Sequence, residues 1–147
     1  MFYLLLPLIL GTIVGIITSK AINYNDLIKP KLSPPGFIFP IVWTIIYLLL
    51  GVSYTILREK KQLTKEIKQI YYLQLIFNYL WTVIFFVFKF RLFSVLWIII
   101  LDMLVIYMAY QFYKNNKLTG YLQIPYIIWL IFVTYLNIAI YFLNRGI

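Results

Sequence analysis

Aromatic and amide side chains recur at helical spacing in three apolar segments of the chain. The first segment holds Trp43 and Tyr47, the second holds Asn78, Trp81 and Phe85, and the third holds Trp129, Val133 and Asn137. Residues at these spacings lie on one face of an α-helix, so each set shares a face. Together the three faces could line a pocket that is apolar with a few polar anchors, which suits a flat hydrophobic ligand.

A belt of aromatic residues at the membrane–water interface is the competing interpretation, because Trp and Tyr are enriched there. The belt is favoured for Tyr24, Tyr113 and Tyr121. It explains Trp43 and Trp129 less well, because both lie well inside their apolar segments.

Polar residues inside apolar segments mark either functional sites or interhelical hydrogen bonds. Asp102 is the only acidic residue of its apolar segment. It has no partner of matching chemistry, which favours a hydrogen-bonded packing role over that of a catalytic acid. For Asn78 a ligand contact and a packing role are equally favoured, whereas packing is favoured for Asn137.

Several kinds of chemistry are excluded by the residues that the chain lacks. It contains no cysteine and no histidine, which excludes disulfides, thiol nucleophiles, imidazole bases and the usual zinc ligands. It also lacks a catalytic triad, a phosphate-binding loop and a paired-carboxylate motif. We therefore predict no metal site and no resident cofactor.

The composition predicts an integral, multi-pass membrane protein. Of 147 residues, 64% are hydrophobic and 12% are charged, whereas soluble domains carry roughly a quarter charged residues. The net charge of +9 comes from basic residues in short segments between apolar runs. In such places they contact anionic headgroups, so the lipid bilayer is the expected partner and nucleic acid is not.

Five apolar runs are long enough to cross roughly 30 Å of hydrocarbon as helices. They cover residues 2–19, 37–57, 70–88, 93–113 and 121–143. We predict an all-α membrane protein whose single domain, residues 1–147, is a five-helix transmembrane bundle. The connection over residues 20–36 contains three prolines and a glycine, which predict a long loop between the first two helices. Such a loop is either a lid or a surface linker.

Basic residues are divided almost equally between the two ends of the predicted bundle. Seven lie in the second and fourth connections, and six lie towards the other end. Because the excess of Lys and Arg sets orientation, this near tie leaves the orientation open. Thr64 followed by Glu66 predicts that the third helix begins inside the basic second connection.

Four motifs in order resemble the tryptophan-rich sensory protein and translocator protein family, TspO/MBR, also called the peripheral benzodiazepine receptor. The most specific motif runs from Tyr24 to Gly51 and includes Lys29-Pro30, Ser33-Pro34-Pro35-Gly36, Val42-Trp43-Thr44 and Tyr47. The others are Gln74 to Asn78 with Trp81 and Phe85-Phe86, then Leu101-Asp102-Met103-Leu104, then Pro125 to Trp129 with Tyr135-Leu136-Asn137. The resemblance covers essentially the whole chain.

The resemblance implies a five-helix bundle, often a homodimer, whose ligand pocket opens toward the loop between the first two helices. Family members bind porphyrins, and many bind sterols or synthetic isoquinoline and benzodiazepine compounds. Some bacterial members are reported to degrade protoporphyrin in light. For this chain the resemblance implies protoporphyrin IX or haem as the ligand.

Site residues follow from matching the family motifs position by position. Trp43 and Trp129 would flank the ligand and are the candidate catalytic residues of a photochemical reaction. The remaining predicted ligand-binding residues are Tyr24, Pro34, Pro35, Tyr47, Asn78, Trp81, Phe85, Asp102 and Asn137, with Asp102 close behind the pocket wall.

The sequence departs from the family pattern at two places. Ile138 and Phe142 occupy the Tyr and Arg positions of the sterol motif, which disfavours sterol binding. The third helix lacks a small-x-x-x-small spacing, so a homodimer through that helix is left open. The Gly11 and Gly15 spacing in the first helix is only weak support for a homodimer.

Three functions remain in competition. The leading hypothesis is a tetrapyrrole-binding sensory protein with light-dependent porphyrin breakdown, which needs an indole near the excited ring and no acid–base machinery. The alternatives are a translocator of porphyrins or other amphiphiles, and a scaffold whose partner interactions are regulated by ligand. The sequence leaves open whether the protein is an enzyme.

Overall fold

The computed structural model describes residues 2–18, 38–87 and 91–143, and every element in these ranges is helical. The elements are α1 (Phe2–Thr18), α2 (Ile38–Glu59), α3 (Lys65–Thr82) with a π-helical turn (Val83–Val87), α4 (Arg91–Asn115), a short α5 (Lys117–Tyr121) and α6 (Ile124–Leu143). The prediction of an all-α chain with five long helices is confirmed. The predicted loop over residues 20–36 lies outside the described residues.

The outer surface of the bundle is apolar. Helix α4 is hydrophobic on every side: Leu101 and Val105 are fully buried, whereas Met103 is 65% exposed and Ile106 is 52% exposed. A surface of this kind is stable against lipid and not against water. Helices α2, α4 and the segment that includes α6 are long and apolar enough to cross a membrane, and α1 is apolar but shorter. The chain is a multi-pass membrane protein.

Two glycines allow α1 and α2 to pack closely. A Cβ atom at Gly51 of α2 would overlap the carbonyl oxygen of Leu4 in α1. A Cβ at Gly11 would overlap the ring of Tyr47. Small residues at such positions let the helix backbones approach each other. Gly11, the first residue of the G-x-x-x-G spacing, is therefore used in a contact within the chain.

Helix α4 packs against both α3 and α6. Its inner face contributes fully buried side chains at one-turn spacing, namely Ile98, Leu101, Val105, Met108 and Phe112. This spacing is the one expected for an apolar stripe that faces a helical core.

Helix α2 ends in a Schellman motif. The amide of Lys61 donates to the carbonyl of Arg58 at 3.1 Å, and the amide of Gln62 donates to the carbonyl of Leu57 at 2.8 Å. This pattern requires a left-handed residue after the helix, and Lys61 has φ 55°. The chain thereby reverses direction at once into α3.

Helix α3 begins where its cap predicts. The Thr64 hydroxyl accepts a hydrogen bond from the amide of Ile67 at 3.1 Å, so the helix starts at Lys65 and the predicted start inside the basic connection is confirmed. The side-chain Nδ2 of Asn116 donates to Oε1 of Gln62 at 3.1 Å. This bond joins the second and fourth connections at one end of the bundle.

The last apolar run differs from the predicted single helix over residues 121–143. Asn116 caps a short helix by accepting from the amide of Leu118 at 3.1 Å. The short helix α5 ends at Tyr121, and α6 begins at Ile124. Pro125 lies in the first turn of α6, where a backbone amide proton has no helical acceptor and its absence costs nothing.

Candidate functional site

The structure brings the two candidate pocket tryptophans into contact. The ring centroids of Trp43 on α2 and Trp129 on α6 are 6.1 Å apart in an edge-to-face arrangement. Trp43 also stacks on Tyr47 at 5.7 Å and meets the edge of Tyr126 at 6.4 Å. Two further rings, Phe39 and Phe132, contact Trp129. We call this group of six the aromatic cluster: Phe39, Trp43, Tyr47, Tyr126, Trp129 and Phe132.

Helical spacing explains how the aromatic cluster assembles. Phe39, Trp43 and Tyr47 follow one another at one-turn intervals along α2. Tyr126 and Trp129 are likewise one turn apart on α6. Edge-to-face and offset-stacked pairs at these distances are the favoured geometries of aromatic side chains, so the cluster is well packed.

Trp129 carries a polar atom that the described residues leave unpaired. Its indole Nε1 is buried, and no described residue accepts a hydrogen bond from it. In contrast, the indole of Trp81 donates to Asn137 at 2.8 Å, and that of Trp97 donates to the carbonyl of Phe77 at 2.9 Å. Because buried donors are almost always paired, the Trp129 N–H is suited to an acceptor on a bound molecule.

A chain of hydrogen bonds lies against the aromatic cluster. The Tyr47 hydroxyl donates to Oδ1 of Asn78 at 2.6 Å, and Nδ2 of Asn78 donates to the Tyr126 hydroxyl at 2.7 Å. Tyr126 then donates to Oε1 of Gln74 at 2.8 Å, and Nε2 of Gln74 donates to the carbonyl of Tyr71 at 3.0 Å. The chain joins α2, α3 and α6. It gives Asn78 a packing role, while a ligand contact by Asn78 stays a prediction.

Three other predicted site residues meet at a second place. Trp81 and Phe85 stack with their centroids 5.2 Å apart. Asn137, which accepts the indole N–H of Trp81, donates to the hydroxyl of Ser94 at 3.0 Å. These bonds join α3, α4 and α6 to one another, as the packing interpretation of Asn137 predicts.

Asp102 lies between α4 and α6. Its Oδ2 atom is 2.6 Å from the hydroxyl of Thr134 on α6. The α6 face that carries Thr134 is different from the face that carries Trp129, because the two residues are five positions apart on a helix. Thr134, the α6 residue that Asp102 contacts, therefore lies on a different side of α6 from Trp129.

Some predicted site residues lie outside the described residues, and others were missed. Tyr24, Pro34 and Pro35 fall in the undescribed range 19–37, so their ligand contacts stay predictions. Tyr126 and Gln74 were not predicted, although the sequence holds the signal. Each lies one turn before a predicted site residue, Trp129 and Asn78 respectively.

Known proteins resemble the chain over nearly its whole length. A model of the TspO/MBR family matches residues 3–143. The tryptophan-rich protein TspO of Archaeoglobus fulgidus is 32% identical over 144 residues, which cover 96% of this chain and 94% of that protein. Protein CrtK of Rhodobacter capsulatus is 30% identical over 135 residues, 90% of this chain and 84% of that protein. The tryptophan-rich sensory protein of Cereibacter sphaeroides is 30% identical over 121 residues, 82% of this chain and 76% of that protein.

Proposed function

The chain belongs to the TspO/MBR family, and from this premise we propose that it is a membrane sensory protein that binds a tetrapyrrole at the aromatic cluster. The observation that supports the proposal is the contact of Trp43 with Trp129, together with the buried indole N–H of Trp129 that no described residue pairs. A flat macrocycle needs aromatic faces for stacking and a few polar groups for orientation, and the cluster offers both.

Binding at this site would rely on stacking and hydrogen bonds. The chain has no histidine or cysteine to serve as an axial ligand, which favours metal-free protoporphyrin IX over haem. The Trp129 N–H would donate to an acceptor on the ligand. Lys29 and Lys31, in the connection that follows α1 in sequence, would pair with the propionates.

We further propose that light drives breakdown of the bound porphyrin, with dissolved dioxygen as the co-reactant that oxidises and opens the ring after the first electron transfer. The excited ring would take one electron from an indole, which yields a porphyrin radical anion and an indole radical cation. Trp43 and Trp129 are placed in contact on facing helices, so either indole could serve as the donor.

The test is a titration of detergent-purified protein with protoporphyrin IX, in the dark and then under light. Soret absorbance and tryptophan fluorescence are followed for wild type, Trp43→Phe, Trp129→Phe and the double variant. We expect saturable binding by all four proteins, several-fold weaker in the double variant, because phenylalanine keeps part of the stacking surface. Light-driven bleaching should be lost only in the double variant.

Trp97→Phe is the matched control. It removes one indole from a site outside the aromatic cluster, where Trp97 stacks on Phe77 at 4.3 Å. Binding and bleaching by this variant should equal those of wild type. A loss of binding and bleaching in Trp97→Phe as large as that in the double variant of Trp43 and Trp129 would contradict the assignment of the site.

The remaining outcomes separate the competing functions. Saturable binding without bleaching would support a sensor and reject the photochemical step. Net porphyrin flux in liposomes that contain the protein would instead support a translocator. Absence of saturable binding by wild type would reject a tetrapyrrole as the ligand.

A further inference from the structure

Four tyrosines form a second group of rings, at the end of the bundle where α1 begins and α2 ends. The rings of Tyr54 and Tyr71 stack with their centroids 4.5 Å apart, and the ring of Tyr72 contacts both. The ring centroid of Tyr3, on α1, is 5.4 Å from that of Tyr54. We call these four residues the end tyrosines. They join α1, α2 and α3 through ring contacts.

Two routes connect the aromatic cluster to the end tyrosines. Tyr47 and Tyr54 are seven residues apart on α2, so they share a face and are separated by about 10 Å along the helix axis. Between them, the carbonyl of Leu50 lies 3.5 Å from the Tyr71 hydroxyl. The chain of hydrogen bonds that leaves the cluster at Tyr126 also ends on the carbonyl of Tyr71. Short covalent and hydrogen-bonded paths therefore connect the two groups of rings.

Rings of these kinds can carry electrons. Indole and phenol are the side-chain groups of this protein that lose one electron most readily, because the chain contains no cysteine. Electron transfer is fast between rings in contact, since it falls off steeply with distance. An oxidised tyrosine is stable only after its phenolic proton has been lost. Tyr47 donates that proton to the amide oxygen of Asn78 at 2.6 Å, and an amide is too weak a base to take it. An oxidised Tyr47 is therefore only a transient step.

Tyr3 has the surroundings of a final electron donor. It is half-buried in the first turn of α1, beside Arg58, which is exposed in the last turn of α2. The guanidinium carbon of Arg58 lies 4.6 Å from the centroid of the Tyr3 ring. A cation over the ring opposes positive charge on it, so Tyr3 must lose its proton together with the electron. Water at this end of the bundle can take the proton.

From these contacts we propose that the end tyrosines return an electron to the oxidised indole of the aromatic cluster. The electron passes from Tyr3 through Tyr54 and Tyr71 to the cluster, and the indole radical cation becomes a neutral indole. Tyr3 loses its phenolic proton to water and becomes a neutral tyrosyl radical. A water-soluble donor of one hydrogen atom, such as ascorbate, then restores the phenol. This route, which rests on the photochemical function proposed above, adds a small aqueous reductant as a second substrate.

The first test uses no porphyrin, so its result does not depend on tetrapyrrole binding. The full-length protein in lipid nanodiscs is illuminated at the red edge of tryptophan absorption, which tyrosine does not absorb. Pentaamminechlorocobalt(III) is present as an irreversible one-electron acceptor. The sample is frozen, and high-field electron paramagnetic resonance distinguishes tyrosyl from indole radicals. We expect a tyrosyl signal in wild type. In Tyr3→Phe this signal should fall several-fold, and the indole signal should rise.

Matched variants locate the two ends of the route. Tyr107→Phe removes the hydroxyl of an exposed tyrosine on α4, outside both groups of rings, and should give the wild-type spectrum. The double variant Trp43→Phe and Trp129→Phe removes the indoles of the aromatic cluster and should lose most of the tyrosyl signal. Trp97→Phe removes an indole outside the cluster and should keep that signal.

The second test adds protoporphyrin IX, air and ascorbate and counts the porphyrins bleached per protein under light. Wild type should bleach several, whereas Tyr3→Phe should bleach several-fold fewer and accumulate oxidised tryptophan that mass spectrometry detects. Equal counts in the two proteins would overturn the route while leaving photochemical breakdown standing.

Absence of a tyrosyl radical in wild type would overturn the proposal without reference to any variant. A tyrosyl signal of wild-type size in Tyr3→Phe would overturn it as well, because the electron would then come from another tyrosine. Absence of porphyrin binding would reject the proposed function instead, and the porphyrin-free radical measurement would still decide whether the end tyrosines donate electrons to the cluster.

Discussion

The amide of Asn78 is held on both sides by tyrosine hydroxyls, one from α2 and one from α6. Tyr47 donates to its oxygen and Tyr126 accepts from its nitrogen, so the orientation of the amide is fixed. Both bonds are shorter than 2.8 Å and are buried. Because successive bonds polarise one another, loss of one member weakens the rest of the chain.

At this scale we predict that Tyr126→Phe destabilises the protein more than Tyr47→Phe. Tyr47→Phe removes one bond and keeps the ring against Trp43, which should cost about 1 kcal/mol. Tyr126→Phe removes the acceptor of Asn78 and the donor to Gln74, which should cost about 2 kcal/mol. Unfolding in mixed micelles as a function of SDS fraction measures both. Tyr135 is an exposed tyrosine on α6, so Tyr135→Phe is the control and should leave the free energy of unfolding unchanged. Equal costs for Tyr47→Phe and Tyr126→Phe would contradict the proposed order of the hydrogen bonds.

Gly11 and Gly51, the two glycines at the α1–α2 contact, face different groups, so their replacement by alanine should destabilise the helix pair to different extents. Gly51 faces the backbone carbonyl of Leu4, whereas Gly11 faces the ring of Tyr47. A side chain can move aside, but a helix backbone must be displaced as a whole.

Gly51→Ala should therefore destabilise the protein by about 3 kcal/mol, and Gly11→Ala by about 1 kcal/mol. The same SDS titration measures both variants. A distance measured between spin labels on α1 and α2 should increase in Gly51→Ala only. A smaller cost for Gly51→Ala than for Gly11→Ala would show that the two helices are not in backbone contact.

The turn between α2 and α3 offers a stabilising substitution. Lys61 adopts φ 55°, a left-handed conformation that is unfavourable for residues with a Cβ and is favoured by glycine. Lys61→Gly should raise the free energy of unfolding by about 1 kcal/mol. Lys60→Gly removes the same charge from the neighbouring position, whose φ is not positive, and should not stabilise. Stabilisation by both variants would assign the gain to charge rather than to conformation.

Helices were predictable from the sequence because their signals are local. Apolar length identified five long helices, and Thr64 marked the start of α3 several residues before the apolar run begins. The break between α5 and α6 was not predicted, because the run from Tyr121 to Leu143 carries no charged residue, and the signals of the break are local ones, the Asn116 cap of α5 and Pro125 in the first turn of α6. A cap of this kind has little weight against a long hydrophobic pattern.

The site was only partly predictable, because partners across helices have no local signal. Trp43 and Trp129 were predicted to line one pocket; the structure places their rings in contact, and their role in ligand binding stays a prediction. The bond between Trp81 and Asn137 depends on how α3 is rotated against α6. The contact of Asp102 with Thr134 depends on how α4 is rotated against α6. Helix rotation is set by packing over the whole bundle, and the almost uniformly apolar α4 carries no stripe that would indicate it.

For the whole molecule, the order of the helices fixes which connections share an end. The bond from Asn116 to Gln62 places the second and fourth connections together, and both are rich in lysine. The opposite end holds the start of α4. Within residues 2–18, 38–87 and 91–143, three helical segments have the length and composition of membrane spans on their own, so the crossing of the membrane by α1 and α3 depends on their packing in the bundle.

We predict that all five long helices cross the membrane, which the absence of natural cysteine makes simple to test. In membrane vesicles of known orientation, a membrane-impermeant maleimide should label Lys61→Cys and Lys117→Cys from one side and Leu92→Cys from the other. Wild type should remain unlabelled, and all three variants should react after permeabilisation. Because basic residues are nearly balanced between the two ends, the prediction concerns relative sides only. If Leu92→Cys reacted from the same side as Lys61→Cys, α3 would not span the bilayer, and the five-helix transmembrane bundle would be wrong.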